Sequence, residues 1–165
     1  AFRPDGLALA VGLEDGSIPI WEVPWSGPLA PPRPIRGPAR AVAFSRDGKL
    51  LASASWDRSV KIWDANTWKL LHNLHDSTEG AVQCVAFGPD NRRLAWGSTD
   101  GTIKIWDGPG SETQILRGHT SWVQAVAFSS DGEWIASASL DGTVKIWKAP
   151  AEPSARSADP NAKRD

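Results

Sequence analysis

Three stretches of this chain are near copies of one another. Ala41 to Trp63 reads AVAFSRDGKLLASASWDRSVKIW, Cys84 to Trp106 reads CVAFGPDNRRLAWGSTDGTIKIW, and Ala125 to Trp147 reads AVAFSSDGEWIASASLDGTVKIW. A worn fourth copy runs from Ala1 to Trp21. Phenylalanines at 2, 44, 87 and 128, aspartates at 15, 57, 100 and 141, and tryptophans at 21, 63, 106 and 147 all advance by 42, 43 and 41 residues. Self-similarity at such a period means a repeat architecture, in which one unit cannot bury its apolar face alone and must stack on a neighbour.

Inside a unit the pattern has period two. In the last copy, Ala125 to Phe128 is an apolar run closed by Ser-Ser-Asp-Gly, Trp134 to Ser139 follows, then a second Asp-Gly and Thr143 to Trp147. Asp-Gly between apolar runs signals a tight hairpin, and we expect both of its residues at positive φ. Most units repeat the device, but Asp57-Arg58 and Asp90-Asn91 carry weaker turn chemistry. The run Leu51-Ala-Ser-Ala-Ser55 alternates apolar with small residues, as expected of a strand covered on both faces.

A fourth strand is expected at 68–74 and at 112–116. In the first unit its place is taken by residues 25–36, where prolines at 28, 31, 32 and 34 allow at most an edge strand or an irregular wrap. Residues 149–165 have no apolar alternation and read as a disordered polar tail, so the last unit lacks an outer strand.

Net charge is −1, which excludes a broad electrostatic footprint for nucleic acid or anionic lipid. No apolar run is long enough for a membrane helix. The single cysteine, Cys84, cannot form an internal disulfide, and we expect a cytoplasmic protein. The chain holds no methionine and opens inside a repeat, so we expect a piece of a longer protein.

These residues resemble the WD-repeat (WD40) β-propeller family. The likeness rests on Arg117-Gly118-His119, the Ala-Ser-Ala-Ser and Asp-Gly elements, and the endings Trp63-Asp64 and Trp106-Asp107. It implies an all-β fold of four-stranded antiparallel blades, an incomplete propeller of about four repeats, with blades near 1–37, 38–76, 77–117 and 118–148. It also implies a structural tetrad in the fourth blade: His119, Ser137, Asp141 and Trp147. Partial tetrads follow in the others: Ser53, Asp57 and Trp63; Asp100 and Trp106; Asp15 and Trp21. Pro38 stands near the histidine position of the second unit, Trp96 at the serine position of the third and Val11 at that of the first.

The resemblance further implies a rim that contacts a partner, built from residues before the turn aspartates and from residues opening the inner strands. Here these are Glu14, Trp56, Thr99 and Leu140, with Arg40, Gln83, Gln124 and Trp122. The expected partner is a protein or peptide, without nucleic acid, membrane, metal or cofactor. An alternative is a carboxy-terminal sensor or docking part of a larger signalling protein whose catalytic part lies upstream. Four blades leave sheet faces open, and either upstream blades or a second copy would close the ring.

Other chemistry is weaker. His119, Ser137 and Asp141 have the residue types of a hydrolase triad, yet no serine sits on a strained turn. His72 and His75 lie three apart on a strand and point to opposite faces, so they do not converge on a metal. Cys84 reads as a small buried hydrophobe.

Overall fold

A computed structural model of the chain describes residues 1–23, 28–30, 39–75 and 80–150. All the strands and sheets among them are antiparallel β. Blade 1 comprises β1 (Ala8–Ala10), β2 (Ile20–Glu22) and β3 (Pro28–Ala30). Blade 2 comprises β4 (Ala39–Phe44), β5 (Leu50–Ser55), β6 (Ser59–Asp64) and β7 (Leu70–His75). Blade 3 comprises β8 (Val82–Phe87), β9 (Leu94–Ser98), β10 (Ile103–Trp106) and β11 (Gln114–Leu116). Blade 4 comprises β12 (Val123–Phe128), β13 (Trp134–Ser139) and β14 (Val144–Lys148). Strand order follows chain order within every sheet, so each blade is a meander. The described residues of the proline-rich segment, 28–30, form the short edge strand β3. Trp25 and Pro38 lie outside the described residues.

Eight turns share one backbone feature. The residue after each turn aspartate takes positive φ, whether it is glycine (Gly48 at 71°, Gly142 at 81°) or not (Arg58 at 68°, Asn91 at 59°). Its amide bonds back three residues, as in Gly48 to Ser45 and Arg58 to Ser55. The aspartates themselves are not at positive φ, which corrects the expectation that both residues would be. The second turn of a blade is a three-residue loop, closed for instance by the Ser98 amide on the Thr102 carbonyl, and the first a four-residue one, closed for instance by the Ser45 amide on the Leu50 carbonyl; both contain one left-handed residue. Each carboxylate accepts the backbone N–H two residues on, for instance Ser17, Ser59, Thr102 and Thr143 at 2.8–2.9 Å. This side-chain turn fixes the loop even where glycine is missing.

Each blade stacks by a fixed pairing of faces. In blades 2 to 4 a Phe–Leu/Ile–Trp triple lies across the first three strands: Phe44, Leu51 and Trp63; Phe87, Leu94 and Trp106; Phe128, Ile135 and Trp147. Each triple packs on a plate of small and branched residues from the preceding blade. Blade 1 offers Ala8, Ala10, Ile18 and Ile20; blade 2 offers Ala52, Ala54, Val60 and Ile62; blade 3 offers Ala95 and Ile105. Alanines in the plates let the sheets approach, and the branched residues are fully buried, each contributing about 1.5–3 kcal/mol. Gly97 marks a close approach of blades 3 and 4, since a Cβ there would meet Val123 at 2.5 Å.

The fold continues past Lys148. Ala149 is buried, and its amide bonds to the Glu133 carbonyl at 2.7 Å. The rest of the expected tail, 151–165, lies outside the described residues. No helix among the described residues is long and apolar enough to cross a membrane.

The turn geometry predicts opposite effects at two positions. Arg58→Gly relieves an exposed left-handed arginine and should raise stability by about 0.5–1 kcal/mol. Gly142→Ala, where a Cβ meets nothing within 4 Å, should lower it by about 1 kcal/mol through φ alone. The urea midpoint at constant m-value measures both.

Candidate functional site

Blade 4 holds a continuous hydrogen-bonded chain. The Trp147 indole N–H donates to Ser137 Oγ at 2.8 Å, and Ser137 Oγ lies 2.8 Å from His119 Nε2. His119 Nδ1 lies 2.8 Å from Asp141 Oδ2. With the indole donating to Ser137, the serine hydroxyl donates to a bare Nε2, and Nδ1–H donates to the carboxylate; this tautomer is assigned from the network. Asp141 also accepts from the Thr120 and Thr143 amides at 3.0 and 2.9 Å and from the Thr143 hydroxyl. That hydroxyl leads the contacts that hold the Asp141 carboxyl well below its usual 3.8, with Thr120 and His119 adding to it. Ser137 is 2% and His119 7% exposed, so a substrate carbonyl cannot reach the serine oxygen. The arrangement stitches β13, β14, the turn between them and the incoming loop together.

The network thins elsewhere. In blade 2, Trp63 donates to Ser53 at 3.0 Å, and Asp57 faces the Lys61 ammonium at 3.7 Å. In blade 3, Trp96 takes the serine position and is buried in the apolar core shared with blade 2. The Trp106 ring lies 5.2 Å from that of His72, which reaches it from the outer strand of the preceding blade. His75 ends that strand, paired with Ser59 and exposed, so it does not stand at the histidine position of blade 3. Asp100 binds Thr102, and in blade 1 Asp15 binds Ser17. Trp21 pairs with Leu9 across β1 and β2.

The rim residues gather at one end of the inner strands because of a repeated irregularity. Pairing of β4 with β5, β8 with β9 and β12 with β13 shifts register at Arg40, Gln83 and Gln124 respectively. Each of these residues is therefore the extra one of a β-bulge, a device that re-aims a side chain. Nearby, the second turns of blades 3 and 4 are tied to the start of the inner strand of the same blade. The Thr99 amide donates to the Ala81 carbonyl and the Leu140 amide to the Trp122 carbonyl, both at 2.9 Å.

The structure brings part of the rim together. The Arg40 guanidinium lies over the Trp56 ring, 5.4 Å from its centre, and its Nε–H donates to Gln83 Oε1 at 3.3 Å. Trp56, Trp122 and Leu140 are 45%, 43% and 62% exposed. Gln124 and Glu14 are exposed and Thr99 is half-buried. Gln83 is buried, and its Nε2 has no hydrogen-bond partner among the described residues. At the opposite end of the same strands Phe44, Phe87 and Phe128 line a recess of about 320 Å³ with Arg46 and Pro89.

Sequence reasoning overlooked Lys61 and Lys104. Both sit at the lysine of the Val/Ile-Lys-Ile-Trp run and are 8% and 2% exposed. A lysine in an alternating strand ordinarily faces solvent, yet here the neighbouring blade covers that face. The small residues across the sheet were the signal that could have found them. Cys84 is buried as expected, and burial pushes its thiol up to about 11.

The model of the family described as "WD domain, G-beta repeat" matches residues 34–64, 68–107 and 110–148, more than half of the chain. Among curated proteins, U3 small nucleolar RNA-associated protein 7 of Saccharomyces cerevisiae is 32% identical over 45% of this chain and 13% of its own length. Nuclear distribution protein PAC1 of Arthroderma otae is 42% identical over 50% of this chain and 19% of its own. COMPASS component SWD1 of Saccharomyces cerevisiae is 36% identical over 38% of this chain and 16% of its own. The chain thus spans less than a fifth of these relatives.

Two outcomes follow from the network. Ser137→Ala leaves the Trp147 N–H and the His119 Nε2 without their partner and should cost about 1–3 kcal/mol, more than Ser53→Ala; urea unfolding of both variants compares them. The Asp141 carboxyl is depressed in the folded state, so its contribution is present above its unfolded pKa and is lost as pH falls through the folded one. Stability should therefore fall as pH drops below about 4, and less steeply in Asp141→Asn.

Proposed function

Because the chain belongs to the WD domain, G-beta repeat family, we propose that it is a non-catalytic interaction scaffold presenting the rim around Trp56 and Arg40 to a protein or peptide. The observation that carries this reading is the exposed Trp56 with the Arg40 guanidinium held over its ring. A large, stiff aromatic body beside a planar cation is the composition of interface hot spots. The bulged inner strands and the carboxylate-fixed turns hold both residues on a rigid frame, which lowers the ordering cost of binding. Trp122, Gln124, Leu140, Thr99 and Glu14 extend the rim across the other blades, and Gln83 supports Arg40 from beneath. Relatives named for association with a small nucleolar RNA and as a COMPASS component agree with work inside larger assemblies. The single free thiol, Cys84, suits a reducing compartment, and we place the chain in the cytoplasm.

Selection of binders from a random peptide library displayed on phage, followed by titration of one selected peptide, tests the reading. Trp56→Ala and Arg40→Glu should each weaken binding at least about 30-fold, with the β-sheet circular dichroism unchanged. Normal binding by both variants would remove the rim from the function.

A further inference from the structure

The rim of blade 2 holds a cation whose outer edge is unused. Blade 2 is flanked on both sides, by blade 1 through the Ala39 amide on the Leu13 carbonyl and by blade 3 through Arg40 and Gln83. Three features fix the exposed Arg40. The bulge in β4 turns it out of the ladder, the Trp56 ring supports one face of its guanidinium, and Gln83 Oε1 accepts its Nε–H. Gln83 is itself 5% exposed, so it is a fixed post. The terminal nitrogens, with four N–H groups between them, donate to none of the described residues, and no carboxylate among those residues pairs with the guanidinium. Arg93 is the internal comparison. Its guanidinium lies over the Phe128 ring, 5.7 Å from its centre, and its Nε–H donates to the Asp90 carboxylate. Arg40 has the same aromatic support, a neutral amide in place of the carboxylate, and no anion.

We propose that the free edge of Arg40 receives the side-chain carboxylate of an aspartate or glutamate in the bound peptide, through two parallel N–H···O bonds from Nη1 and Nη2. Stacking on an indole occupies a face of the guanidinium and leaves its edges open, so the two interactions add. Gln83 keeps Nε engaged, which directs the end-on pair of nitrogens outward. The Gln83 Nε2 group, buried and without an acceptor among the described residues, adds positive potential beneath the same site. Glu14 sets the size of the anion. It is exposed one residue beyond Leu13, whose carbonyl holds the residue before Arg40. A lone guanidinium beside that negative charge suits a singly charged carboxylate better than a doubly charged phosphate. This inference rests on the rim as the binding surface and adds the chemistry of what binds there.

Peptides selected from the phage library on the full 165-residue chain test it. They should share an acidic residue at one position. One of them, synthesised with aspartate, asparagine, lysine or phosphoserine at that position, is titrated by fluorescence anisotropy. The asparagine form should bind at least about 10-fold more weakly than the aspartate form. Arg40→Glu should reverse the preference and bind the lysine form at least about 10-fold better than the aspartate form, which a merely structural arginine would not produce. Selected peptides that depend on Trp56 but share no acidic residue, or that bind equally well as asparagine forms, overturn this inference and leave the rim reading standing. Tighter binding of the phosphoserine form overturns it too and assigns the edge to a phosphopeptide. Recovery of no binder, or of binders indifferent to both Trp56→Ala and Arg40→Glu, removes the rim reading and this inference with it.

Discussion

Face-to-face stacking of small sheets is the constraint on which everything else here depends. A blade of three or four short strands cannot stabilise itself, because its apolar residues lie on both faces. The chain solves this with a repeated match: an Ala-rich plate on one blade and a Phe–Leu/Ile–Trp triple on the next. Small side chains in the plate set the spacing, and the bulky triple fills it. The same match explains why lysines in the middle of β6 and β10 are buried and why Gly97 has no room for a side chain.

A second layer of order comes from the turn aspartates. Each carboxylate accepts hydrogen bonds from the residue two further on, so each hairpin loop is held by its own side chain before any blade stacks. In blade 4 the last of these carboxylates also ends a relay from Trp147 through Ser137 and His119. The other blades replace the relay by cheaper means: an indole–serine bond with a lysine–aspartate pair in blade 2, and apolar packing of Trp96 in blade 3. Stability is therefore distributed unevenly over an array whose backbone is nearly uniform.

The rim is a by-product of this regularity. Three bulges at equivalent places turn Arg40, Gln83 and Gln124 out of the ladder, and the second turns sit beside them. A fixed frame with variable residues at its ends suits recognition, since the frame carries the stability and the end residues are free to differ. They do differ: Glu14, Trp56, Thr99 and Leu140 occupy one equivalent position in four blades.

The sequence alone determined the repeat, the strand order within a unit, and the residues of the blade 4 relay. Those features are local or periodic, and a copy of the pattern every 41 to 43 residues makes them legible. It also named the rim positions, by family resemblance, without showing which of them meet. Tertiary structure decided the rest. It buried Gln83 under Arg40 and left Gln124, at the equivalent bulge, exposed, because neighbouring blades cover one bulge more than another. It set Arg58 and Asn91 in the glycine conformation, because the aspartate side chain fixes the turn whatever follows it. And it buried Val60 and Ile62 while leaving the equivalent Val144 and Ile146 open, because burial of a sheet face depends on the neighbour stacked upon it and not on the residues of the sheet.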